Sequence, residues 1–136
     1  MSEADMLKGR NPFLWKGDSR EAVLCIHGFV GAPGVFRKLG RKLQSDALTV
    51  YAPMLPGHGT VPEDLADVTG EQLLGAVEQA YTKLARSYER VHLAGLSLGG
   101  TLATLLAANH AGESSLGCIS LISPCYEFNK VLANRI

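Results

Sequence analysis

Charge of one sign, regular cysteine spacing and long apolar runs are all missing from this sequence, and each absence removes a class of function. Thirteen basic residues offset thirteen acidic ones, so there is no electrostatic footprint for nucleic acid or an anionic membrane surface as a partner. No apolar run approaches the ~20 residues of a membrane span, and no membrane insertion is expected. The first residues, Met1-Ser2-Glu3-Ala4-Asp5, are polar and acidic where a secretory signal is basic and then apolar. A cytoplasmic protein is expected. Cys25 and Cys118 lie inside apolar runs and Cys125 follows Pro124. Without regular spacing they read as reduced core or near-core residues, not as metal ligands or disulfide partners. No metal and no cofactor is expected. There is no internal repeat and no low-complexity segment, and 46% hydrophobic against 19% charged residues is an ordinary folded balance.

What is present is an alternation of apolar strand-like runs with helix-period segments, the pattern of a parallel sheet wrapped by helices. Residues 22–26, Ala-Val-Leu-Cys-Ile, form a continuous apolar run suited to a strand buried on both faces. Further strands are expected at 48–52, 90–94 and 119–123, the last ended by Pro124. Phe13-Leu14-Trp15 is either a short strand or an apolar plug. Val35, Phe36, Leu39 and Leu43 recur at helical spacing, with Arg37, Lys38, Arg41 and Lys42 as a solvated face. Thr69-Gly70-Glu71-Gln72 matches a capping box. It opens a second helix whose Leu73, Leu74, Val77, Tyr81, Leu84 and Tyr88 share one face. A third, small-residue helix runs from Leu98 to about His110.

The chemistry concentrates where the third long strand meets that helix. Arg90-Val91-His92-Leu93-Ala94 runs into Gly95-Leu96-Ser97-Leu98-Gly99, a Gly-x-Ser-x-Gly pattern between strand and helix. This is the setting of a nucleophile elbow, a tight turn that lifts one serine out of the sheet. Ser97 is expected at positive φ, and side chains at Gly95 or Gly99 would crowd the turn. The alternative, that Ser97 merely caps a helix, needs neither glycine. Acyl transfer puts negative charge on the substrate oxygen, and each preorganised donor aimed there is worth ~3 kcal/mol in rate terms. One donor is expected to be the amide of Leu98. The other belongs to His27-Gly28-Phe29-Val30-Gly31-Ala32-Pro33, directly after the first buried strand, where Phe29 sits at the donor position. Pro53 to Val68 is a long loop carrying Pro56-Gly57-His58-Gly59, and such loops are often functional.

His-Gly-Phe-Val-Gly-Ala-Pro, Ala-Pro-Met-Leu-Pro-Gly-His-Gly and Gly-Leu-Ser-Leu-Gly-Gly, in that order, resemble the small bacterial carboxylesterases of the α/β-hydrolase fold, relatives of the monoacylglycerol lipases. The resemblance covers residues 11 to about 125. It implies a three-layer α/β/α sandwich and an acyl-enzyme mechanism on small ester substrates. Its nucleophile would be Ser97 and its oxyanion amides those of Phe29 and Leu98. His27, Gly28, Val30 and His58 would then shape the substrate-facing loops instead of moving protons. It also implies that the four long strands stand in spatial order second, first, third, fourth. The helices at 34–45 and 98–110 are expected on one face and that at 71–88 on the other.

The departure from the pattern lies after Ser97. The chain order in this fold is Ser, then Asp or Glu, then His. No aspartate follows Ser97; the later acids are Glu113 and Glu127, and the later histidine, His110, precedes both. Thirteen residues along a helix put His110 roughly 20 Å from Ser97, so it is expected as a surface residue favourable to the helix dipole. His27 and His58 lie on the active-site edge but have no evident orienting acid. The chain is therefore read as the N-terminal portion of one hydrolase core, truncated after the strand at about 119–123. The lid and the triad acid and histidine are not present in it. Three readings follow: an ester hydrolase completed by a C-terminal part, an acyltransferase or thioesterase on the same fold, and a non-catalytic binding or scaffold module. A sheet ending at 119–123 leaves an apolar edge, for which self-association or a complementing C-terminal fragment is expected.

Overall fold

The computed structural model describes residues 9–126. Five strands form one sheet in the order β1-β3-β2-β4-β5: β1 (Phe13–Trp15), β2 (Glu21–Ile26), β3 (Thr49–Ala52), β4 (Arg90–Leu96) and β5 (Leu116–Ile122). β3, β2, β4 and β5 run parallel, in the expected order, and β1 closes one edge antiparallel to β3 with Leu14 opposite Tyr51. Phe13-Leu14-Trp15 is thus a strand. Three helices flank the sheet: α1 (Arg37–Ser45), α2 (Gly70–Ala85) and α3 (Leu98–Asn109). The loop after β3 contains a 3-10 turn at Pro62–Leu65. No described helix is long and apolar enough to cross a membrane.

Alternation along the strands divides the core into two layers. Ala22, Leu24 and Ile26 of β2 pack with Val91 and Leu93 of β4 against α2 (Val77, Ala80, Tyr81, Leu84) and α3 (Leu102, Ala103, Leu106, Ala107). Val23 and Cys25 face the other way, with Val50, Ala52, Phe13, Phe36 and Ala94, and Leu43 of α1 packs there. α2 and α3 therefore share one face and α1 takes the other, which corrects the expected pairing of α1 with α3. The reason is the right-handed crossover: the direction of travel across the sheet decides the face. The chain steps one way from β2 to β3 and the opposite way from β3 to β4 and on to β5.

The last strand also differs in its limits. β5 starts at Leu116, three residues earlier than expected, and ends at Ile122. A bulge between the Val91–Leu116 and Leu93–Ile119 pairs accounts for the early start. The His92 ring fills it: its Nδ1 accepts from the Cys118 N–H at 2.9 Å and its Nε2 lies 3.0 Å from Glu21 Oε2. A Cβ on Gly117 would lie 2.4 Å from that ring. The tail from Tyr126 to Ile136, whose sequence is expected to begin a further element, lies from 127 onward outside the described residues.

Candidate active site

β4 runs straight into α3 through Ser97, whose φ of 52° and ψ of −118° lie far outside the helical and extended regions. Such a conformation costs of order 1–3 kcal/mol and persists only where the surroundings enforce it. Here they do. A Cβ on Gly99 would stand 2.0 Å from the Ile26 carbonyl oxygen, and one on Gly95 2.4 Å from that of Gly99. Helix α3 thus lies against the end of β2, and only hydrogen at both positions permits it. From β5, the Ile122 carbonyl accepts the Ser97 N–H at 2.9 Å.

The loop after β2 meets this turn from the other side. A Cβ built on Gly28 would lie 3.3 Å from Ser97 Cβ and 3.9 Å from its Oγ. Gly31 N–H donates to the Gly28 carbonyl at 3.0 Å, closing a turn with Phe29 and Val30 at its tip. Val30, not a glycine, takes the positive φ of 58°. Phe29 and Val30 are 55% and 60% exposed. The Phe29 amide is not used in closing the turn. Leu98 opens α3, where the first amides have no intrahelical carbonyl to bond and the helix dipole favours negative charge.

His27 is fully buried. Its Nε2 accepts the Leu55 N–H at 3.1 Å, so its Nδ1 carries the proton and donates to the Gly28 carbonyl at 2.9 Å. Burial, with a smaller contribution from the nearby His58, holds its pKa below the ordinary histidine value. It is a neutral strut between the Gly28 loop and the loop after β3. His58 stacks edge-on to it at 5.0 Å and to Phe29 at 6.1 Å. His58 is paired through Nδ1 with the Pro56 carbonyl at 2.9 Å, and its buried Nε2 has no partner.

His110 is not the surface residue expected. It caps the C-terminal end of α3 with its side chain only 17% exposed, Nε2 2.6 Å from Glu78 and Nδ1 2.9 Å from Glu113. Its ring packs on Tyr81 at 4.3 Å. Burial opposes the charge, but the two carboxylates outweigh it and raise the His110 pKa. Burial likewise opposes Glu78, whose bonds from Asn109 and His110 bring its pKa down. Both ring nitrogens are committed, at the opposite end of α3 from Ser97.

The segment after β5, unread in the sequence, folds back over α3. Pro124 lies against Gly100, the Thr101 hydroxyl donates to the Cys125 carbonyl, and Thr104 Oγ1 is 2.9 Å from the Tyr126 hydroxyl. The small residues at 100, 101 and 104 were its only trace in the sequence. Among the described residues no group of three or more His, Cys, Asp and Glu side chains is placed to hold a metal ion.

Three comparisons bear on this arrangement. The chain is 36% identical over 105 residues to the thermostable monoacylglycerol lipase of Bacillus sp. (strain H-257), covering 77% of this chain and 42% of that one. To the carboxylesterase of Bacillus subtilis (strain 168) it is 40% identical over 96 residues, 70% of this chain and 39% of the relative. The chain thus spans about two fifths of the length of these curated relatives. One of the metagenome-derived lipolytic enzymes LipS and LipT superposes with a TM-score of 0.84 at 30% identity, over 92% of this chain and 50% of its own. The model of the alpha/beta hydrolase fold matches residues 21–134, and with the strand order and the Ser97 turn described above this chain belongs to the α/β-hydrolase fold family.

Proposed function

We propose that this chain carries the nucleophile half of a serine carboxylic ester hydrolase. Ser97 would attack the ester carbonyl to form an acyl-enzyme, with the amides of Phe29 and Leu98 holding the oxyanion. The observation that carries the reading is the enforced backbone of Ser97 beside Gly28: a scaffold has no use for a strained serine facing a donor-bearing loop. Attack at neutral pH needs a base to take the hydroxyl proton and later return one to the leaving alcohol. His27, His92 and His110 have both ring nitrogens engaged. In the fold's chain order the acid and then the histidine follow the serine, and we assign both to polypeptide other than these 136 residues. His58 alone keeps an unpartnered basic nitrogen, which makes His58→Ala the control for a base within the chain.

Turnover of an activated aryl ester tests the proposal. The chain alone should show weak hydrolysis, of the order of the ~10³-fold over water that survives triad removal elsewhere, and Ser97→Ala should lower it. Adding the part of the Bacillus subtilis carboxylesterase beyond the matched residues, where the fold's order puts acid and histidine, should raise the rate by orders of magnitude. Hydrolysis indifferent to Ser97→Ala overturns the mechanism; full activity of the chain alone that His58→Ala abolishes moves the base to His58. A thioesterase or acyltransferase would use the same serine. Running the assay with a thioester and with an acceptor alcohol separates these activities.

A further inference from the structure

The turn that carries Phe29 has little packing to hold it. Phe29 and Val30 stand exposed at its tip, and the β-branched Val30 sits at a φ of 58° that such residues avoid. Two hydrogen bonds converge instead on one atom behind the tip. The Gly28 carbonyl oxygen accepts from Gly31 N–H at 3.0 Å and from His27 Nδ1–H at 2.9 Å. Across a trans peptide a carbonyl and the N–H that follows it lie in one plane and point in opposite directions, and no described peptide bond is cis. Fixing the Gly28 oxygen therefore fixes the direction of the Phe29 N–H and turns it away from the buried ring.

His27 can hold that oxygen in one tautomer only. The Leu55 main-chain N–H donates to Nε2 at 3.1 Å, so Nε2 keeps its lone pair and the proton lies on Nδ1, facing Gly28. With the proton on Nε2, two donors would meet at Leu55 and two acceptors at Gly28. Leu55 is itself buried in the loop after β3, and its carbonyl accepts the His58 N–H at 3.1 Å. We infer that His27 is a positioning residue for the oxyanion donor: the loop after β3, through Leu55, sets its tautomer, and the tautomer aims the Phe29 N–H. This role presupposes Ser97 as nucleophile and the Phe29 amide as oxyanion donor, as proposed above. Gly28 stands against Ser97, a Cβ there coming 3.3 Å from Ser97 Cβ. Rotation of the peptide between residues 28 and 29 would replace a donor beside the serine with a carbonyl oxygen, which repels an oxyanion. His27, fully buried, acts only through that peptide.

Two substitutions separate the two bonds. The side-chain amide of His27→Asn reaches where Nδ1 stands and can donate to Gly28, but it leaves Leu55 N–H unpaired. The longer His27→Gln brings its oxygen near the place of Nε2 for Leu55 and gives Gly28 nothing. Weak aryl-ester hydrolysis by this chain would rest on oxyanion stabilisation and binding, which makes it a sensitive readout. His27→Gln should lower kcat about tenfold or more, part of the ~10²–10³ that loss of a whole donor costs, with KM unchanged. His27→Asn should keep most of kcat. The urea midpoint should rank them the other way, with His27→Asn lower because it orphans a buried N–H. A purely structural role would make activity follow stability. Activity that falls in step with the urea midpoint overturns the inference, as does a kcat unchanged in His27→Gln while Ser97→Ala lowers it. Hydrolysis indifferent to Ser97→Ala sinks the nucleophile reading instead, and amide exchange then judges the peptide without turnover. Exchange of Gly31 N–H, whose acceptor is the Gly28 carbonyl, should quicken about tenfold or more in His27→Gln and not in His27→Asn; equal exchange in the two overturns the inference. Should neither variant fold, the ring-nitrogen resonances of His27 in the unaltered chain decide. The proton is expected on Nδ1, and a proton on Nε2 overturns the inference.

Discussion

Ser97 holds its unusual backbone because two flanking residues have no side chain, and that dependence can be measured at Gly99. Its missing Cβ would stand 2.0 Å from Ile26 O and 2.6 Å from His27 O, both backbone atoms in the buried core and unable to swing aside. Gly99→Ala is expected to push the start of α3 off β2 and cost about 3 kcal/mol, the upper end of ordinary overpacking, read as a lower urea midpoint. His27 acts through polar satisfaction. Replacing it with alanine leaves the buried Leu55 N–H unpaired, which costs about 1–3 kcal/mol, opens a cavity in the site, and takes one of two partners from Gly28 C=O, which keeps the Gly31 N–H. A loss of about 3 kcal/mol is expected for His27→Ala, in the same measurement.

At the scale of the element, α2 is the clearest case of a helix specified locally. Thr69 accepts the Gln72 N–H through its hydroxyl at 3.2 Å while Gln72 Oε1 accepts the Thr69 N–H at 2.9 Å, the reciprocal capping box its sequence announces. Thr69→Ala should therefore cost about 1 kcal/mol, seen as a lower thermal midpoint. Within the same helix Gly75 has nothing within 4 Å of the position its Cβ would take. Gly75→Ala should stabilise by about 0.5–1 kcal/mol through lost unfolded-state entropy, and a neutral or destabilising result would mean the site is not open. Which face of the sheet α2 covers is not a local matter: it follows from the order of the strands.

Across the whole molecule, the end of α3 is tied to α2 and to the turn before β5 by His110, with Glu78 on α2, Glu113 on the turn, and Asn109, Tyr81 and Ser115 around them. His110 has a raised pKa when folded, so its contribution is complete below its ordinary value of 6.5 and is lost as pH rises through the folded value. Glu78 has a lowered pKa. Its contribution is present above its ordinary value of 4.5 and is lost as pH falls through the folded value. The cluster should thus stabilise most between these two ordinary values. The difference in thermal midpoint between the unaltered chain and His110→Gln should be largest there and shrink in alkali. About 1 kcal/mol is expected, since Glu113 is half exposed and screened. His27, with its lowered pKa, slopes the other way: as pH falls below 6.5 the unfolded chain gains a proton that the folded strut refuses.

Strand, turn and helix identities were legible in the sequence because each rests on short-range chemistry. Continuous apolar runs mark strands buried on both faces, a capping box marks a helix start, and Gly-x-Ser-x-Gly between strand and helix marks a turn only glycines allow. The motif order also carried the family. Tertiary structure decided what depends on residues far apart in the chain. α1 stands alone on its face because the chain reverses direction across the sheet after β3. β5 begins early because His92, 24 residues before Leu116, fills a bulge. His110 is partly buried because Glu78, 32 residues away, meets it across two helices. A side chain's partner is set by the packing of elements, and neither propensity nor periodicity measures the distance between residues that only the fold brings together.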